Sequence, residues 1–216
     1  MSNNVGLTDY SPYRLDRSKH SAQNIISKCI GANKRVLDLG CNRGFLGMLA
    51  DSSNDFYGVD NSEACIRIAR SFYKEASVMD LNHVEALPWD ITFDAIVFAD
   101  VLEHLVDPYL VLKFYFERYL EEGGEVFISL PNIANWRMRL RLMLGRFGYS
   151  ETGTLDKTHL HFYTYKTARN LVEATGLEVV LEMAGSGSKI LGRIIERVPR
   201  LRQLLAWNIL IIARRR

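Results

Sequence analysis

Cysteine is scarce in this sequence. There are three, Cys29, Cys41 and Cys65, with no CxxC pair and one left over in any pairing scheme. That excludes a disulfide-stapled chain and fits a reducing, cytoplasmic setting. The five prolines are scattered, and no tract is repeated or low in complexity. A collagen-like or disordered chain is therefore excluded. No apolar run approaches the roughly 20 residues of a membrane helix, and the polar start, Met1 to Asp9, lacks the pattern of a signal peptide. An excess of one charge sign is missing too: 27 Lys plus Arg face 25 Asp plus Glu, a formal +2. With 48% hydrophobic and 24% charged residues in 216, the expectation is one domain, 1–216, large enough to bury a full core.

The small net charge hides an asymmetry. Residues 186–216 hold eight Lys or Arg against Glu196 alone, a net +7, which leaves −5 on residues 1–185 within the total of +2. A basic segment behind an acidic body suits an anionic partner, such as a phosphate or the inner face of a membrane, or it merely solubilises a C-terminal helix. Along the chain, short β-branched runs alternate with helical patterns, the signature of βαβ units and a mostly parallel sheet. Arg35–Leu39, Asp55–Asp60, Ala76–Met79, Phe93–Ala99, Glu125–Leu130, Leu177–Met183 and Trp207–Ala213 read as seven strands. Helices are expected from Phe45 to Ala50, after Asn61-Ser62, from Asp107-Pro108 to Gly123-Gly124, and from Lys166 to Thr175. Residues 1–33 read as an N-terminal helical flank, 34–130 as a ligand-binding half, 131–165 as an insertion and 166–216 as closing helix and strand elements. The insertion exceeds an ordinary connection, and loops over a sheet's carboxyl edge usually carry specificity.

The turn after the first strand, Asp38-Leu39-Gly40-Cys41-Asn42-Arg43-Gly44, lets backbone approach a ligand at Gly40 and a helix start against the strand at Gly44. Asp60 ends the second strand 20 residues beyond Gly40, where an acid accepts ribose hydroxyls; its plainer reading is a helix cap. A dinucleotide turn has glycine where Asn42 stands, and Asp38 would repel a pyrophosphate. Both features disfavour a nicotinamide oxidoreductase. An acid at this turn suits an ammonium group, as in S-adenosylmethionine.

Here the sequence resembles the class I S-adenosylmethionine-dependent methyltransferases. VLDLGCNRG (36–44), YGVD (57–60), VMDLN (78–82) and FDAIVFADVLEHLVDP (93–108) are similar to their successive cofactor motifs. The resemblance implies a Rossmann-like α/β fold, with helices on both faces of a seven-stranded, mostly parallel sheet. The last strand would lie antiparallel between the fifth and sixth. It implies S-adenosyl-L-methionine as cofactor and S-adenosyl-L-homocysteine as product. Gly40 and Gly44, with Cys41 and Asn42 between them, would flank the cofactor, and Asp38 would hold its methionine end. Asp60 and Asn61 would take the ribose, Asp80 and Leu81 the adenine edge, and Ala99, Asp100 and Leu102 the sulfonium. Asn42 departs from the usual glycine, but Asn tolerates left-handed backbone.

The stretch 131–164, PNIANWRMRLRLMLGRFGYSETGTLDKTHLHFYT, resembles bacterial methyltransferases associated with cell-surface polysaccharide and O-antigen biosynthesis. That implies O-methylation of a sugar or glycan-linked intermediate, and the arginines of the stretch would suit a phosphorylated or lipid-linked one. Arg137, Arg139, Arg141 and Arg146 among leucines describe an amphipathic helix, either over the site or simply packed and solvated. A hydroxyl acceptor calls for a base near neutral pKa. His104 follows the fourth strand, and His159 and His161 would share one side of an extended segment; these are the catalytic candidates. Tyr163 and Tyr165 read as packing residues. Asp100, Glu103, His104 and His159 are metal-ligand types, but type without geometry assigns no metal. Three alternatives stay open: a quinone-type or other small-metabolite acceptor, RNA, or a non-catalytic cofactor-binding module. The basic segments lack interleaved aromatics, which argues against nucleic acid. Oligomeric state is not legible.

Overall fold

The computed structural model describes residues 15, 18–186 and 188–216. The expected flank is therefore seen from Ser18 onward, and the rest of it, apart from Leu15, lies outside the described residues. In chain order the elements are α1 (Ala22–Ile30), β1 (Arg35–Leu39), α2 (Phe45–Leu49), β2 (Asp55–Asp60), α3 (Glu63–Ala69), β3 (Glu75–Val78), β4 (Phe93–Ala99), α4 (Pro108–Tyr119), β5 (Leu120–Pro131), α5 (Trp136–Met143), α6 (Tyr165–Ala174), β6 (Leu177–Gly185), α7 (Lys189–Arg197), α8 (Arg202–Leu205) and β7 (Asn208–Arg215).

The seven strands form one sheet in the order β3-β2-β1-β4-β5-β7-β6. Pairing is parallel from β3 to β5, while β7 runs antiparallel to both β5 and β6. This is the Rossmann-like seven-stranded arrangement expected from the sequence, with WNILIIA supplying the inserted last strand. Central strands read as unbroken apolar runs because both faces are covered. Alternation then sorts the side chains. Leu37, Ile96, Phe98, Val126 and Ile128 pack on the side of α4 and α6, with Leu112, Tyr115 and Val172. Val36, Val97, Phe127 and Leu210 pack on the side of α1 and α3, with Ile26, Ile66 and Tyr73.

Helix starts follow local chemistry. The side chains of Ser21, Ser62, Asp107 and Asn135 accept from backbone N–H groups of the first turns of α1, α3, α4 and α5. Thr164 and Thr167 cap α6 reciprocally. The largest departure from expectation is at α4, which stops at Tyr119, so that Gly123-Gly124 lie inside β5; β3, α6, β6 and β7 shift by only one or two residues. Gly123 has φ +76° and Gly124 leaves no room for a Cβ beside Asp94 O. The glycines shape a bulged strand entry.

The order β2-β1-β4 is what positions the site. The chain reverses direction across the sheet between β1 and β4, and ligands of such folds sit at the carboxyl edge of that switch. The insertion begins at this edge, where Asn132, fully buried, donates through Nδ2 to the carbonyls of Gln203 (2.9 Å) and Ala206 (3.0 Å). Ile133 N donates to Tyr163 O at 2.9 Å and closes the far end.

Candidate active site

A cavity of about 570 Å³ opens at this edge. The turn after β1 supplies Gly40, Cys41 and Asn42; the end of β2 supplies Asp60 and Asn61; the link after β3 supplies Asp80 and Leu81; the end of β4 supplies Ala99 and Asp100, with His104 just beyond. Sequence spacing thus brings four separate motifs onto one wall.

Backbone geometry at the turn explains its composition. Gly40 has φ +78°, and a Cβ there would lie 2.4 Å from Val101 Cγ2, so only glycine lets β1's exit lie against β4's exit. Asn42 has φ +49° and its Oδ1 accepts from Arg43 N at 2.9 Å, a local bond that suits asparagine to left-handed backbone. Asp60 is oriented by two backbone donors: Asn42 N to Oδ2 and Ser62 N to Oδ1, both at 2.9 Å. Each carboxylate oxygen keeps acceptor capacity toward the cavity.

Asp38 is the electrostatic centre of the turn. It is 2% exposed, and Tyr73 donates its hydroxyl to Oδ2 at 2.5 Å. Its Oδ1 is buried without a hydrogen-bond partner. Burial pushes the carboxyl up to about 7; the Tyr73 bond opposes this and neighbouring Asp60 adds to it. A buried carboxylate with an unused oxygen beside a cavity fits a ligand that brings an ammonium group, so the donor set agrees with the cofactor that the motifs imply.

At the other end, Asp100 has φ +55°, an uncommon conformation for a residue with a side chain. Ser129 Oγ and Asn208 Nδ2 both donate to its Oδ1 at 2.9 Å, so β5 and β7 hold the carboxylate in place. Burial raises its pKa, and these two bonds oppose the rise. His104 faces the cavity from the short 3-10 turn Leu102–His104. Its Nδ1 lies 3.0 Å from Thr158 Oγ1 and 3.3 Å from Thr158 O, and Thr158 Oγ1 donates to Asp156 Oδ1 at 2.7 Å. Burial, and after it His159, lower the His104 pKa.

Four expectations change. Leu102 does not line the cavity: it is fully buried in the core, and Val101 stands at the wall instead. Gly44 likewise sits behind the wall, at φ +78° as the N-terminal cap of α2, with a would-be Cβ 3.1 Å from the Tyr73 ring. His159 and His161 do not share a side, because residues 159–162 form no strand. His159 is buried behind His104, ring centroids 4.7 Å apart, whereas His161 Nε2 lies 3.4 Å from Val106 O and away from the cavity. Tyr163 and Tyr165 belong to the core, as expected.

Sequence reasoning missed Thr158, Val101, Leu105, Met79 and Gln23 on the wall. Thr158 had the one usable signal, its place in the THLHF run beside the candidate histidines. Glu103, which the sequence offered only as a metal-ligand type, is 1% exposed with neither carboxylate oxygen hydrogen-bonded.

The basic segments are partly structural. Arg202 pairs with Glu182, Arg214 with Glu125, and Arg215 donates to the carbonyls of Phe116, Glu117 and Leu120. By contrast, among the described residues Arg137, Arg139, Arg141 and Arg146 meet no carboxylate; Arg137 stacks on Trp136 and Trp207.

A family model described as a methyltransferase domain matches residues 13–182. Ubiquinone biosynthesis O-methyltransferase of Pseudomonas aeruginosa strain UCBPP-PA14 is 33% identical over 135 residues, 58% of this chain and 53% of that protein. The enzyme of the same name from Dechloromonas aromatica is 33% identical over 138 residues, with the same coverage. The chain thus spans about half the length of the curated relatives it matches. Among solved structures, an S-adenosylmethionine-dependent methyltransferase from Mesorhizobium loti superimposes with a TM-score of 0.63 at 20% identity, covering 94% of this chain and 100% of that one. Magnesium protoporphyrin IX methyltransferase from Synechocystis, solved with bound S-adenosylhomocysteine, gives 0.61 at 14% identity, covering 90% and 80%.

Proposed function

Because the chain belongs to the class I S-adenosylmethionine-dependent methyltransferases, we propose that it transfers the methyl group of S-adenosyl-L-methionine to an oxygen of a small acceptor, releasing S-adenosyl-L-homocysteine. The observation that carries this reading is the polarity of the cavity: orphaned Asp38 at one end, oriented Asp60 and Asp80 along one wall, and His104 with Asp100 at the other end. Asp38 receives the cofactor's ammonium, Asp60 and Asn61 its ribose, and Asp80 with Leu81 its adenine edge. Ala99 and Asp100 border the sulfonium, and Cys41 and Asn42 lie under the chain between. Methyl transfer from a sulfonium is a direct displacement, so much of the acceleration comes from holding the acceptor oxygen in line. His104 borders the cavity beside Asp100, at the end we assign to the acceptor.

The acceptor we favour is a sugar hydroxyl of a glycan-linked intermediate carrying a phosphate or lipid diphosphate. Its support is the insertion, which lends Thr158 to the cavity and presents four arginines that meet no carboxylate among the described residues, beside exposed Leu140, Leu142 and Met143. A quinone-type phenol is the second reading, favoured by the names of the curated relatives. Both acceptors are amphipathic, and Arg193, Arg197 and Arg200 would serve a peripheral contact with an anionic membrane face. Methyl-labelled cofactor, incubated with fractionated nucleotide sugars, lipid-linked saccharides and polyprenyl phenols, separates the readings. Label in a saccharide fraction supports the first, and label confined to the phenols replaces it with the second. No transfer to any fraction would favour a binding module.

A further inference from the structure

Behind His104 the structure gathers a second constellation that methyl transfer alone does not require. We propose that Glu103, His104 and His159 form a binding site for one divalent transition-metal cation at the acceptor end of the cavity.

One ligand atom from each of the three lies within 4.8 Å of the others. Glu103 is the strongest pointer. Its side chain is 1% exposed and both oxygens are buried with no hydrogen-bond partner. Leaving such a group uncompensated is costly, and each one in a native fold asks for an ion, a water or a functional role. Its nearest cationic candidate is His159 Nε2, 4.0 Å from Oε1, too far for a hydrogen bond and suited to an atom in between.

The histidine rings are set for ligation. His159 Nδ1 lies 3.2 Å from Thr154 O, and His104 Nδ1 lies 3.3 Å from Thr158 O. A carbonyl only accepts, so a neutral ring that makes this bond carries its hydrogen on Nδ1, the tautomer whose Nε2 can ligate a metal. A hydrogen-bond acceptor on the other ring nitrogen is the usual company of a metal-bound histidine. The backbone also pins the two halves together, since Leu160 N and His161 N both donate to Glu103 O, at 2.8 and 3.1 Å.

Two imidazoles and a carboxylate suit Zn²⁺, Mn²⁺ or Fe²⁺ and leave coordination positions open. Bonds of about 2.1 Å place tetrahedral ligands roughly 3.4 Å apart, so the side chains close by about an ångström on loading. The site borders the cavity through His104 and Thr158. An ion there would hold the acceptor oxygen and make its proton easier to lose. That role rests on the methyl-transfer reading; cation binding itself does not.

The test uses the full chain stripped with chelator and titrated with Mn²⁺ and Zn²⁺, by calorimetry and by manganese paramagnetic resonance. The expected result is one ion per chain, with affinity reduced about ten- to a hundredfold in Glu103→Gln and in His159→Gln and unchanged in His161→Gln. Affinity for S-adenosylhomocysteine, measured on every variant, reports that it has folded. No saturable binding to the wild-type chain would overturn the site, as would binding that survives both substitutions in folded protein. Cofactor binding without metal binding defeats this inference alone. Metal binding without cofactor binding defeats the methyl-transfer reading instead.

Discussion

Asp38 shows how much of the chemistry rests on single side chains. Its carboxyl is raised to about 7 from 3.8, chiefly by burial. Folding thus binds a proton to Asp38. Its contribution to stability is full below the unfolded value near 4 and is lost as pH rises through about 7. The melting temperature of the cofactor-free chain is expected to carry a component that falls between pH 4 and 7, and Asp38→Asn should flatten it. A slope unchanged by that substitution would remove Asp38 as its cause. Cofactor binding runs the other way, because an ammonium group favours the ionised carboxylate. Affinity for S-adenosylmethionine should rise from pH 6 to 8 in the wild type, read by calorimetry, with Tyr73, Cys41 and Asp60 as the titratable neighbours.

The motif residues were legible in sequence because their roles depend on backbone type and spacing. A glycine at φ +78° and an acid ending the next strand announce themselves. Leu102 and Gly44 were misplaced because neither the short 3-10 turn in which Leu102 is buried nor the cap that sets Gly44 against Tyr73 leaves a periodic pattern in the sequence.

Among the elements, strands were read more closely than helices. β1, β2 and β4 begin and end where their apolar runs do, since a buried parallel strand has no other way to satisfy its backbone. The insertion was legible as a departure from alternation but not in its path, because Asn132, Thr158 and His159 are tied to partners more than fifty residues away or to irregular backbone. Asn132 carries that path. Asn132→Leu would leave the buried Ala206 carbonyl and the part-buried Gln203 carbonyl without their donor, at a cost of about 1–3 kcal/mol for the buried one. We expect a lowered denaturation midpoint and weakened acceptor turnover. A midpoint equal to the wild type would show that the clamp is dispensable. Removing the α4 cap with Asp107→Ala should cost about 1 kcal/mol without changing cofactor affinity, since Asp107 caps α4 through Leu110 N and lies outside the cavity wall.

At the scale of the whole molecule, the sheet order decides everything else. Placing β1 beside β4 opens one edge between two halves of the chain, and the motifs of both halves meet there. The charge asymmetry has a more divided meaning than the sequence suggested, because three arginines of the basic segment serve β5, β6 and α4. What remains outward-facing is the insertion's arginines and part of α7. Binding to vesicles rich in anionic lipid should therefore fall steeply with salt and fall further in a variant with Arg137, Arg139 and Arg141 changed to Gln, read by co-sedimentation. Salt-insensitive binding would point to the exposed apolar residues instead.

The central claim is that this edge is an adenosyl-sulfonium pocket, and calorimetric titration of wild type and Asp60→Ala tests it most directly. The account predicts one site for S-adenosylmethionine and S-adenosylhomocysteine, a loss of about 1–3 kcal/mol on removing the ribose acceptor, and no binding of NAD. Binding of NAD alone, or cofactor affinity untouched in folded Asp60→Ala, would contradict it.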